Sequence, residues 1–105
     1  MSKYRAEATM RGPYRFDSAA EARYYDLLEH RQEAGEIRGF LRQVPFHFKC
    51  GVKLVVDYQV FFPDGTSEFV EVKGVWTKDF ILKTKLFESE YGDWATLRII
   101  DANDC

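Results

Sequence analysis

A chain of 105 residues has room for one hydrophobic core, so residues 1–105 are expected to form a single domain. Its hydrophobic fraction of 46% is that of a globular protein, and no apolar run is long enough to span a bilayer, which argues against a membrane protein. A net charge of −2 gives no general pull toward polyanions, so any nucleic-acid contact must come from local patches.

Charge is unevenly placed. Residues 1–15 hold Lys3, Arg5, Arg11 and Arg15 against one Glu, while residues 88–105 hold five acidic residues against Arg98. Cys50 and Cys105 have no metal-ligand spacing and are expected to be reduced thiols. Met1-Ser2-Lys3 carries no signal-peptide pattern, so a soluble, cytoplasmic protein is expected, with no membrane partner.

Residues 1–16 read as a basic N-terminal arm, extended or folded into a small hairpin at Gly12-Pro13. Its cations suit phosphate contact and suit a solvated terminus equally well. Ser18-Ala-Ala-Glu21 fits a capping box and starts a helix to about Ala34, closed by Gly35. Glu21 thus has a structural role as the third helical residue, and spacing alone slightly favours it. Yet Glu21, Tyr24, Tyr25 and Leu28 share one helical face, so the same carboxylate heads the core-facing stripe.

Glu36 to Arg42 reads as a strand with Ile37, Phe40 and Leu41 as apolar members, and Pro45 to Phe48 as a further short strand. His47 and His30 are ordinary surface positions. After the central hairpin, Gly74 breaks the strand. Trp76 reads as a core plug in preference to a stacking platform, since Trp is usually well buried. Lys78 to Tyr91 is a second helix, with Phe80, Leu82, Leu86, Phe87 and Tyr91 on its apolar face, and Gly92 ends it. Lys78 and Lys85 share a face with Lys83 nearby; such lysines are ordinarily a solvated side, with DNA contact as the alternative. Thr96 to Ile100 is a last strand, and 101–105 a polar tail. The pattern predicts an α/β (α+β) domain, a mixed sheet with helices packed against it.

The informative stretch is Lys53 to Lys73, two strands around Pro63-Asp64-Gly65. With the turn centred on Asp64, antiparallel pairing sets Asp57 directly opposite Glu71, with Cβ atoms roughly 4.5–5.5 Å apart, where like charges repel. A hairpin built for stability alone avoids that pair; one built to hold a cation wants it. Lys73 and Gln59 share their face, while Val56, Tyr58, Val60, Val70 and Val72 form the opposite, apolar face. Carboxylate oxygens with no Cys or His beside them suit Mg²⁺ or Mn²⁺. Such an ion fits phosphodiester hydrolysis, with Lys73 stabilising charge on the phosphate and Glu21 reaching the ion through water or serving a second one. For any one of these residues alone, a cross-strand salt link is the better reading; the case rests on their convergence.

Asp57 and Glu71-Val72-Lys73 follow the D-(x)n-(D/E)-x-K pattern of the PD-(D/E)XK nuclease superfamily, in its core order α-β-β-β-α-β. Val56 stands where the pattern has Pro. The chain also resembles a family of small phage and prophage proteins known only as a domain of unknown function. The resemblance lies in Lys3-Tyr4-Arg5, Phe16-Asp17-Ser18 with Glu21-Ala22 and Tyr25, Ala34-Gly35-Glu36-Ile37, Val56-Asp57-Tyr58, Glu71-Val72-Lys73-Gly74 and Lys83-Thr84-Lys85-Leu86-Phe87.

The resemblance implies a restriction-endonuclease-like fold and a Mg²⁺- or Mn²⁺-dependent endonuclease that hydrolyses DNA phosphodiester bonds. It points to branched DNA, as cut by related phage junction resolvases, and to a phage or prophage origin in a bacterial host cell. It makes Asp57 and Glu71 metal ligands, Lys73 the catalytic lysine and Glu21 the helix carboxylate, and it implies a homodimer. Lys3, Arg5, Arg11, Lys78 and Lys85 are the candidate DNA contacts. The alternatives are a catalytically silent nuclease fold that binds DNA or a phage or host protein, and a generic α+β interaction module with a surface salt link.

Overall fold

A computed structural model describes residues 7–105. Lys3 and Arg5 lie outside the described residues. Thr9–Arg11 (β1) and Tyr14–Phe16 (β2) pair antiparallel around Gly12, whose φ of 58° glycine adopts freely. The first helix, Ala19–Glu33 (α1), is capped by Ser18, whose hydroxyl accepts from the Glu21 N–H at 3.1 Å. Its far end closes with Gly35 at φ 79°. The Gly35 N–H donates to the Gln32 carbonyl and the Glu36 N–H to the Arg31 carbonyl, the paired bonds of a Schellman motif.

Gly39–His47 (β3), Lys53–Phe61 (β4), Ser67–Lys73 (β5) and Leu97–Asp101 (β6) form one sheet in that order. The first three are antiparallel neighbours. β6 lies parallel to β5, which requires a crossover, and the helix Lys78–Tyr91 (α2) supplies it. The chain order α1-β3-β4-β5-α2-β6 is the one expected. Together with the β1–β2 hairpin it makes a mixed α+β fold.

The sheet is covered on both faces. α1 packs with Tyr58, Val60, Val70 and Val72, and α2 with Phe46, Leu54, Val56 and Phe69. Val56 is therefore not on one face with Tyr58 and Val60, although strict alternation predicts it. On β3 likewise, Phe40 packs toward α1 but Val44 and Phe46 toward α2. Both strands change faces at the same level, between the Arg42↔Tyr58 and Val44↔Val56 pairs. There Gln43 takes a φ of 54°, which costs a non-glycine residue on the order of 1–2 kcal/mol.

Four further expectations are corrected. β3 is one nine-residue strand rather than two, and Pro45 fits inside it because β3 is a sheet edge where a missing N–H costs no ladder bond. Trp76 is 51% exposed and plugs nothing. Leu41 and Leu82 are exposed rather than core-facing, and on α2 the buried residues are Phe80 and Phe87. Residues 102–104 form a 3₁₀ turn that buries Ala102 against the α1 layer, with half-buried Cys105 packed beside it, so the C-terminal segment is part of the core. Both cysteines are free. Among the described residues no helix is long and apolar enough to cross a membrane.

Candidate active site

The backbone ladder between β4 and β5 runs from Phe61↔Ser67 to Tyr58↔Val70 and stops one pair short of Asp57 and Glu71. The register is the expected one, and it sets the two carboxylates side by side. Each then serves the other's strand. Glu71 Oε1 accepts the Asp57 N–H at 3.0 Å, and Asp57 Oδ2 accepts the Val72 N–H at 2.8 Å. Carboxylates thus take the place of the missing carbonyl acceptors, so no buried backbone donor is orphaned here. The remaining oxygens, Asp57 Oδ1 and Glu71 Oε2, take no part in these two bonds.

Glu21 arrives from the first turn of α1. Ser18 caps the helix, but the reciprocal half of a capping box is not made. The Glu21 side chain turns away from the helix end, and its Oε2 accepts from Gln43 Nε2 at 3.2 Å. Arg42, stacked 4.0 Å above the Phe16 ring, reaches the same oxygen at 3.9 Å. Tyr58 fixes the approach of α1 to β4, its hydroxyl donating to the Glu21 carbonyl at 2.8 Å. Glu21, Asp57, Glu71 and Lys73 line a single cleft of about 530 Å³, closed by Ser18, Gln43 and the Gly74-Val75 segment. The Lys73 ammonium sits 4.5 Å from the Phe80 ring centroid.

Three buried carboxylates in one cleft cannot all ionise cheaply. Burial, then the charge of Glu71, pushes Asp57 up to about 8. Burial, then the charges of Asp57 and Asp17, pushes Glu21 up to about 7, with Arg42 partly opposing. Glu71 is also raised by burial, with the hydrogen bonds and Lys73 pulling the other way. A divalent cation would relieve this repulsion, and the oxygen-only donor set is that of a hard ion. Among the described residues no three His, Cys, Asp or Glu side chains are arranged to enclose a metal ion by themselves. The fit is therefore to an ion held by the Asp57–Glu71 pair and otherwise by water, as Mg²⁺ commonly is.

Other expected contacts fall elsewhere. Arg11 is paired with Asp26 at 3.0 Å, and Lys78 and Lys85 are exposed on α2, lining neither the carboxylate cleft nor the one beside it. Gln59 donates to Ser67 Oγ and takes no part in the cleft. Sequence reasoning misses Gln43 and Arg42. The one signal that could find them is position, since Gln43 lies across from Asp57 once β3 is paired with β4.

A family model described as a protein of unknown function, DUF1064, matches residues 1–103. Among curated proteins none matches the chain. The chain therefore belongs to the DUF1064 family of proteins of unknown function.

Proposed function

We propose that this protein is a divalent-metal-dependent endonuclease that hydrolyses DNA phosphodiester bonds, with the restriction-endonuclease-like core and phage or prophage origin that its sequence resembles. The observation that carries the reading is the convergence of Asp57, Glu71, Glu21 and Lys73 on one cleft at the point where the hairpin ladder gives way. A stability-driven sheet has no reason to bury an opposed acidic pair there.

Asp57 and Glu71 would hold Mg²⁺ or Mn²⁺, with Glu21 reaching it only through water, and the ion would polarise a phosphoryl oxygen and acidify a water. Lys73 supplies a positive charge on the cleft wall, where negative charge develops on the phosphate as the water oxygen bonds to phosphorus and the ester P–O bond breaks. Gln43 and Arg42 orient the Glu21 carboxylate from the β3 side. With a pKa near 7, Glu21 can also hold or release a proton at neutral pH.

Purified protein is incubated with a labelled four-way junction, a flap and a linear duplex, in Mg²⁺, in Mn²⁺ and in chelator. Metal-dependent cutting that disappears in Asp57→Ala and in Lys73→Ala supports the proposal, and preference for the junction supports branched DNA. Binding without cutting, retained by both variants, would leave a silent DNA-binding module.

A further inference from the structure

Beside the carboxylate cleft lies a second one of about 350 Å³, lined by Lys53, Lys73, Thr77, Phe80 and Lys83 together with Glu71 and Asp79. The two share Val55, Glu71 and Lys73, so they form one groove that passes over the Lys73 side chain. The second half sets three lysines against Glu71 and Asp79, a small positive excess on a chain of net charge −2. Asp79 holds Lys83 at 3.0 Å, fixing it on the wall. Among the described residues, Lys53 and Lys73 have no carboxylate within ion-pair distance.

Trp76 lines neither half itself but packs on Phe80 of the lysine cleft. Its predecessor Val75 lines the carboxylate cleft and its successor Thr77 lines the lysine cleft. The indole is 51% exposed and packs edge-to-face on Phe80 at 5.2 Å, on the same ring that carries the Lys73 ammonium. Half-exposed, the indole leaves ring surface open to solvent. Beside lysine ammoniums, whose charge suits phosphates, such a surface suits a nucleobase. It can stack only on a base that has left the duplex, because an intact duplex shows base edges in its grooves and hides base faces.

We propose that the lysine cleft carries the strand leaving the reaction centre, with Lys53 and Lys83 on its phosphates and Trp76 stacked on an unpaired base. The substrate class is then DNA with single-stranded or unpaired nucleotides beside the cleaved bond. This rests on the nuclease reading above for its chemistry, but its test does not.

Trp94→Phe leaves Trp76 as the sole tryptophan. In chelator, this protein is titrated with oligothymidylate, a blunt duplex, and a duplex with a single-stranded tail. Quenching of Trp76 emission by the oligothymidylate and the tailed duplex, but not the blunt one, is expected. Trp76→Ala weakens single-strand binding about ten-fold. Lys53→Ala and Lys83→Ala each reduce the slope of log affinity against log salt by about 0.7. Unchanged emission at saturating strand, or equal affinity of Trp76→Ala, would overturn the proposal. So would a protein dimer that sediments as monomer after Trp76→Ala, which would give this face to a second copy. A protein that cuts nothing yet shows the quenching loses the nuclease reading alone; one that cuts blunt duplex without quenching loses this one alone.

Discussion

At its turn end the β4–β5 hairpin pairs backbone with backbone, from Tyr58↔Val70 to Phe61↔Ser67. One residue further from the turn, Asp57 and Glu71 supply the acceptors instead. The turn end is secured conventionally: Gly65 adopts φ 90°, and the Asp64 carboxylate accepts from both the N–H and the hydroxyl of Thr66. The open end satisfies the same backbone donors at the cost of burying like charges. A strand N–H needs an acceptor, but not a carbonyl. A carboxylate fills that need with one oxygen and leaves the other for a ligand. The contrast separates a region that stability explains from one that, on the proposed reading, is built to hold a cation.

Substitutions at the two ends should therefore split stability from activity. The largest effects are at the open end: Asp57→Ala should bring metal-dependent cleavage to background, and Lys73→Ala should lower it about 10²–10³-fold, both read by gel kinetics. Val60→Ala, fully buried near the turn, should cost about 2 kcal/mol in urea unfolding and leave the turnover of folded protein unchanged. Asp57→Asn should show the reverse signature. It keeps an acceptor for the Val72 N–H but removes a buried charge, so it should gain about 1–2 kcal/mol at pH 8 while losing activity. Ser18→Ala removes the α1 cap and should cost about 1 kcal/mol, with a smaller loss of activity through Glu21.

Much of this is legible in the chain. The α1 and α2 boundaries follow from Ser18, Gly35 and Gly92, and the hairpin register follows from Pro63-Asp64-Gly65, so the Asp57–Glu71 juxtaposition can be read from residue order alone. The face switch cannot. It coincides with a positive φ at Gln43, which its residue type does not announce, and it splits Val56 from Tyr58 across the sheet. Trp76 defeats the expectation that a large apolar residue lies inside, because it sits in the short link between β5 and α2, packed on Phe80 and half-exposed. Glu21 has two sequence readings, and the fold accommodates part of each: its N–H is capped by Ser18 while its carboxylate faces Gln43 and the cleft.

The acidic crossing also has a pH signature. Asp57 and Glu21 bind protons more tightly folded than unfolded, since ordinary values of 3.8 and 4.5 become about 8 and about 7. The folded protein then holds the extra protons between those limits, so stability should fall as pH rises from about 4 to about 8. A bound cation would compete with those protons and restore the stability. The most direct measurement is titration calorimetry of Mn²⁺ into the wild-type protein and Asp57→Asn at pH 6 and pH 8. The expected result is binding by wild type that tightens at pH 8 with release of protons, and no comparable binding by Asp57→Asn. Equal Mn²⁺ binding by both proteins, or none by either, would contradict a cation site at the Asp57–Glu71 crossing.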